Sequence, residues 1–252
     1  MSLHQFDLKE KVALVTGASR GIGQAIAGGF AAAGANLAIV ARSSLEKTAA
    51  LITLQNRRCL ALNADFQHTS AADEIIEAVL LEYGRIDILV NNAGMIRRTP
   101  AVDYSLKDWD DVMNVNIRTL FRLCQAVGKI MLKQEAGKII NIASLLSFSG
   151  GINVPAYAAS KGAVAQLTKA LANEWASRNI NVNAIAPGYI ITENTAALRK
   201  SAKRNQEITE RIPAGRWGMP EDLVGTAIFL ASEASDYVHG SVLVVDGGWM
   251  AR

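Results

Sequence analysis

Apolar residues in this chain come in short unbroken runs, each followed by a polar or glycine-rich turn and then by a longer stretch with helical spacing. Unbroken runs are the mark of strands buried on both faces, whereas half-exposed strands alternate. Residues 12–16 predict the first strand, and a helix follows to Ala33, where Gly34 stops it. The unit then repeats: strand 35–41 with helix 43–56, strand 58–64 with helix 71–83, and strand 86–90 with a long helix over 109–132. Three more strands fall at 138–143, 180–186 and 241–245, with helices over 157–175 and 220–232 between them. Residues 1–10 read as a loosely held arm. The polar stretch 192–211 is long for a plain connection and predicts a mobile helical lid, which with the following loop makes a substrate lid over 192–218. Strand and helix alternate without linker or repeat. That predicts an α/β fold: a single-domain Rossmann-like doubly wound sheet of seven parallel strands with helices on both faces, spanning 1–252.

Composition narrows what such a domain does. Half of the 252 residues are hydrophobic and 19% are charged, enough to fill a sizeable core. The net charge of +3 is spread without a basic block, so nucleic acid has no electrostatic footprint here. A mildly basic balance suits an anionic small molecule. Cys59 and Cys124 lie in apolar patterns and read as buried thiols rather than a disulfide. His4, His68 and His239 lack ligand spacing, so no catalytic metal is expected. A leader pattern and a membrane-length apolar run are both missing, which together predict a cytoplasmic protein without a membrane partner.

The chemistry concentrates at strand ends. Gly17-Ala-Ser-Arg-Gly-Ile-Gly23 follows the first strand and opens a helix, the context of a phosphate-binding loop. Gly17 permits the tight turn, Gly21 lets a pyrophosphate near the backbone, and Gly23 allows close helix–strand packing. Ser19, Arg20 and Ile22 belong to the same loop, whose helix offers free N–H groups to phosphates. Folds that prefer NAD end the second strand with a carboxylate for the ribose 2′-hydroxyl. Here that strand ends Ala41-Arg42, so Arg42 with Arg20 favours the 2′-phosphate of NADP(H); with Arg42 merely solvated, NAD(H) serves instead. Asp65, at the end of the third strand, either accepts from the adenine amino group or caps a helix. Asn91-Asn-Ala-Gly94 suits a turn beside the ligand, with Ala93 and Gly94 against it. Asn116 sits mid-helix against its propensity, either as plain surface or as an opening to a water. Ser144 ends the fifth strand and points into the crevice of an open sheet. Tyr157 and Lys161, four apart on a helix, share one face about 6 Å apart along the axis. A cation there lowers the phenol pKa from about 10. Alone, such a pair is more often solvated surface.

Taken in order, Thr16-Gly-Ala-Ser-Arg-Gly-Ile-Gly23, Asn91-Asn-Ala-Gly94, Asn116, Ser144, Tyr157-x-x-x-Lys161 and Pro187-Gly188 resemble the short-chain dehydrogenase/reductase family along essentially the whole chain. Gly94-Met-Ile-Arg-Arg98, Arg211-Ile-Pro-Ala-Gly-Arg-Trp-Gly218 and Val245-Asp-Gly-Gly-Trp-Met-Ala-Arg252 further resemble the members that act on sugar acids. The resemblance implies an NAD(P)-dependent interconversion of a secondary alcohol and a ketone. In it Tyr157 exchanges the proton, Ser144 holds the substrate oxygen, Lys161 binds the nicotinamide ribose, and Asn116 holds a water that passes the proton on. Asn91 would line the cofactor cleft beside Pro187 and Gly188, and Ile190 and Thr192 would hold the carboxamide. It also implies a homotetramer paired through the long helices around Asn116 and Lys161; Trp249, on the apolar C-terminal strand, suits a second interface. A sugar-acid carboxylate calls for a guanidinium, and Arg97, Arg98 and Arg199 are the candidates. Rival readings are another substrate on the same machinery, such as gluconate or a 3-oxoacyl carrier-protein thioester, and a cofactor-binding sensor that has lost catalysis.

Overall fold

The computed structural model describes residues 3–68 and 71–252, so Met1 and Ser2 of the expected arm lie outside the described residues. In chain order the elements are β1 (Val12–Thr16), α1 (Gly21–Ala32), β2 (Asn36–Ala41), α2 (Glu46–Thr53), β3 (Cys59–Asn63), α3 (Ala71–Tyr83), β4 (Ile88–Asn91), α4 (Leu106–Met113) and α5 (Leu120–Gln134). There follow β5 (Gly137–Ile142), α6 (Pro155–Trp175), β6 (Ile180–Pro187), α7 (Ala196–Lys200), α8 (Ala202–Arg211), α9 (Val224–Ala231) and β7 (Val242–Val245). The seven strands form one parallel sheet in the order β3-β2-β1-β4-β5-β6-β7.

Successive side chains of a strand point to opposite faces, and here each face has its own core. Val12 and Leu14 of β1, Leu89 of β4 and Val182 of β6 pack under α3, α5 and α6. Ala13 and Val15 of β1, Ile88 and Val90 of β4 and Ile185 of β6 pack under α1, α2 and α9. Helices therefore cover both faces, and the central strands read as unbroken apolar runs because neither face meets water. The edge strand β3 keeps polar and half-exposed positions for the converse reason.

Four expectations are corrected. The N-terminal arm is not loose over its described part: Leu8 is fully buried and its amide donates to the Ala33 carbonyl at 2.9 Å. The long helix is not uniform, because between α4 and α5 it widens into a π-helical segment, Asn114–Thr119, that contains Asn116. The predicted second helix is shorter than expected, since the chain bends at Arg42 and Ser43 after β2 and the helix starts only past the buried Leu45. Trp249, expected at a subunit interface, is 8% exposed within its own chain. Its ring lies 4.6 Å from that of Tyr189, and the Arg211 guanidinium stands 4.1 Å over it.

Trp249 belongs to a third, small core with Leu145, Ile208, Ile212 and Trp217, which seats the stretch expected to be a lid. That stretch is helical as predicted: a 3₁₀ turn at Glu193–Thr195, then α7 and α8. Both cysteines are free thiols, Cys124 buried as expected but Cys59 only half-buried, and desolvation pushes Cys59 up to about 11 and Cys124 up to about 12. Among the described residues, no helix is long and apolar enough to cross a membrane.

Candidate active site

The sheet order reverses at β1, whose neighbours are β2 and β4, and the crevice at the carboxyl ends of β1 and β4 is where open α/β sheets bind ligands. The glycine loop lies there. Gly17 has a positive φ of 65°, and a Cβ on it would fall 2.8 Å from the Asn92 amide nitrogen. A Cβ on Gly23 would fall 2.4 Å from the Gly17 carbonyl oxygen and 2.5 Å from the Asn92 amide nitrogen, so this glycine lets α1 pack closely on the ends of β1 and β4, as expected of it. The loop is held from β4. Asn92 donates through its side chain to the carbonyls of Thr16 and Gly17 at 3.0 and 3.1 Å, while the Thr16 hydroxyl accepts from the amides of Asn92 and Ala93. Ser19 is tied to the end of β2 by the Ser43 hydroxyl, 2.8 Å away.

Asn91 does the opposite of what was expected. Its side chain is 3% exposed and donates to Asn141 at 2.9 Å and to the Cys124 sulfur, beneath the sheet rather than in the cleft. Strand alternation explains the difference: Leu89 faces the α5–α6 core, so Asn91, two residues on, faces it as well. Asn92 is the residue that reaches the loop, and the same alternation is the signal that finds it.

On the far wall the expected catalytic residues meet. Ser144, extended at φ −165°, caps the short turn after β5, and Ser147 accepts from the Ser144 amide while donating to the Lys161 carbonyl. Pro155 opens α6, which carries Tyr157 and Lys161. The Lys161 ammonium lies 5.7 Å from the Tyr157 ring centre and donates to the Ile142 carbonyl; among the described residues it has no second acceptor. Asn116 faces the same spot from the π segment: a Cβ on Gly94 would meet its Oδ1 at 3.4 Å and the Lys161 Nζ at 3.9 Å. Its side chain accepts from the Met95 amide at 2.8 Å and donates to the Met95 carbonyl and the Ser160 hydroxyl, both at 3.0 Å. Both amide hydrogens are thus committed, so Asn116 is neither plain surface nor a side-chain water donor. Ser160 and Met95 are the partners that sequence reasoning missed.

The electrostatics reverse one expectation. Burial raises the Tyr157 pKa above the ordinary phenol value; the neighbouring Ser144 hydroxyl and the Arg98 guanidinium pull it down, but by less. Arg98 is the charge that pulls the phenol down, while burial pushes the pKa of Lys161, 5.7 Å from the ring, down to about 8. Low dielectric penalises both charged forms before the pair can help itself.

The arginines sort themselves by partner. Arg97 points to Asp108 at 3.4 Å, at the rim. Arg98 donates across the cleft to the Asn194 carbonyl and Arg199 to the Thr192 carbonyl, each at 3.0 Å, so the first turn of the lid is gripped from both sides. The Arg199 Nε is buried without a partner among the described residues. Arg20 pairs with Glu193 at 2.8 Å, and Arg42 with Asp65 at 3.7 Å. Asp65 caps no helix among the described residues; it accepts from the Gln67 amide in a turn. Pro187 ends β6, the Gly188 amide bonds the Val245 carbonyl, and Ile190 is buried where it bridges to Gly218. Thr192 begins the lid, its methyl 3.3 Å from where a Cβ on Gly21 would stand.

These residues fit a dinucleotide. The N-cap of α1 is Arg20, which makes no side-chain capping bond, so the first amides of a twelve-residue helix stay open to an anion at the reversal of strand order. Lys161 and Gly94 leave donors and room beside Tyr157.

Comparison with known proteins agrees. A family model described as enoyl-(acyl carrier protein) reductase matches residues 17–250. The chain is 54% identical over 253 residues to a 2-dehydro-3-deoxy-D-gluconate 5-dehydrogenase of Dickeya dadantii (strain 3937), with 100% of each chain covered. A solved structure from Agrobacterium tumefaciens, described as a candidate 2-deoxy-D-gluconate 3-dehydrogenase with bound NADP, is 54% identical with a TM-score of 0.92, covering 98% of this chain and 99% of that one. A gluconate 5-dehydrogenase from Burkholderia cenocepacia, solved with NADP and tartrate, is 41% identical with a TM-score of 0.94 over 100% of both chains.

Proposed function

The chain belongs to the short-chain dehydrogenase/reductase family, and from that membership we propose that it is an NAD(P)-dependent oxidoreductase interconverting a secondary alcohol and a ketone on a sugar acid, 2-dehydro-3-deoxy-D-gluconate or 2-deoxy-D-gluconate. The observation that carries the reading is the meeting of Ser144, Tyr157 and Lys161 in the crevice that the glycine loop opens. A bound nicotinamide supplies or accepts the hydride. The chain itself handles the proton and the positioning. The Tyr157 phenol gives its proton to the substrate oxygen in reduction and takes it back in oxidation, and Ser144 holds that oxygen. Lys161 turns its free N–H groups to the nicotinamide ribose, and Asn116 keeps Met95 and α6 in register around it. The α1 amides, with Ser19, Gly21 and Ile22, take the pyrophosphate, and Ile190 and Thr192 take the carboxamide. Arg20 and Arg42 favour NADP(H), with NAD(H) also used.

For the substrate carboxylate, Arg98 and Arg199 are better placed than Arg97. Both already hold carbonyl oxygens at the turn that closes the cleft, and Arg199 has a buried donor to spare. Gluconate is the second reading, favoured by the similarity to the gluconate enzyme above. One domain carries both sites, and the working form is a cytoplasmic homotetramer on the family resemblance.

The test is steady-state assay of a panel of sugar acids against NAD and NADP separately, with Tyr157→Phe alongside. Turnover of a sugar acid by the parent is expected to fall roughly 10³-fold in the Phe variant, the scale of general acid–base catalysis, with nucleotide binding retained. Parent-rate turnover by the Phe variant, or an acyl thioester as the sole substrate, overturns the reading.

A further inference from the structure

Both arginines that would meet a 2′-phosphate are already engaged. Arg20 reaches from the glycine loop to Glu193 on the first turn of the lid, Nε to Oε2 at 2.8 Å. Arg42 reaches from the end of β2 to Asp65 at the end of β3, Nη1 to Oδ2 at 3.7 Å. The Ser19–Ser43 hydroxyl pair, 2.8 Å apart, joins the two backbones between them, so the four charges border one patch beside the loop. Two cations facing open solvent would form a phosphate trap; two cations each held by a carboxylate form a neutral rim.

We propose that Glu193, together with Asp65, is a specificity-determining residue that lowers the preference for NADP over NAD by competing with the 2′-phosphate for Arg20 and Arg42. The inference rests on the dinucleotide reading of the glycine loop. A 2′-phosphate has to share each guanidinium with the carboxylate already on it and stands near that carboxylate as a like charge. A 2′-hydroxyl carries no charge and leaves the pairs intact. All four groups are at least partly solvated, so the competition is modest and fades as salt screens it. Glu193 belongs to the turn gripped by Arg98 and Arg199, which fixes where its carboxylate sits.

The test is titration of the full-length protein with NADPH and with NADH, read by nucleotide fluorescence without substrate. Glu193→Gln should tighten NADPH about threefold, the scale of one exposed ion pair, while NADH moves far less. Asp65→Asn should raise the NADPH-to-NADH affinity ratio in the same direction, whatever it does to each nucleotide alone. Adding Arg20→Ala to Glu193→Gln should erase the gain, and 0.5 M salt should shrink it. An unmoved ratio in Glu193→Gln, or equal tightening of both nucleotides, overturns the proposal while leaving the dehydrogenase reading standing. Failure of the parent chain to bind either nucleotide overturns both.

Discussion

Lys161 is 4% exposed, and burial alone pushes its pKa from 10.5 down to about 8. Between those two pH values the unfolded chain binds a proton that the folded chain does not, so this residue makes stability rise with pH there and leaves it flat below about 8 and above 10.5. The buried charge therefore costs roughly 3 kcal/mol at neutral pH. Lys161→Met should lose turnover yet melt at a higher temperature than the parent at pH 7. The gap should narrow as pH climbs past 8, and melts showing a pH-independent gap would contradict this account. Tyr157 shifts the other way, its phenol held protonated by burial. Ketone reduction should accordingly run well at neutral pH while alcohol oxidation gains with rising pH, which initial rates in both directions would reveal. The catalytic residues were legible because their signal is local: a strand end, and two side chains one helical turn apart. Arg98 beside the phenol was not, since nothing in the spacing of Arg98 and Tyr157 says that a loop after β4 crosses to α6. Asn91 was misread where the two-residue period of β4 already pointed its side chain inward.

At the level of elements, helices and strands followed from apolar periodicity, but the widening at Asn114–Thr119 did not. A π segment adds a residue to one turn without changing which residue types look helical, and the partners Asn116 finds from it, Met95 and Ser160, lie on other elements. The lid was foreseen as a polar, helical insertion. Its seat was not, because Trp249 meets Tyr189 and Arg211 only after the chain has returned past β7. Removing that ring takes a large buried surface out of a small core, a loss of about 3 kcal/mol or more where packing cannot relax. Since the small core touches the lid rather than the strands, Trp249→Ala should speed proteolytic cleavage within 193–211 about tenfold and leave the cleavage pattern elsewhere alone. Uniform loss of protection along the chain would place Trp249 in the main fold instead.

Across the whole molecule, the two-faced core makes the sheet the most protected layer, and Cys124 is a built-in reporter on it. Its sulfur is fully buried between Asn91 and Asn141, and its pKa stands at about 12. A thiol reagent at pH 8 should therefore modify Cys124 only at the rate of global opening, whereas half-buried Cys59 on the edge strand does not wait for it. Prompt native labelling of Cys124, mapped by mass spectrometry, would show that the α5–α6 layer parts from the sheet without unfolding.

The clasp between Thr16 and Asn92 joins residues 76 apart in the chain. The phosphate-binding turn therefore cannot take its final shape when its own residues emerge from the ribosome; it waits for β4 to arrive and dock. A nascent chain that stops short of that strand carries the whole glycine motif and no working cradle. Nucleotide capture along a series of stalled lengths would switch on at that arrival, making the ligand a clock for assembly of the central sheet.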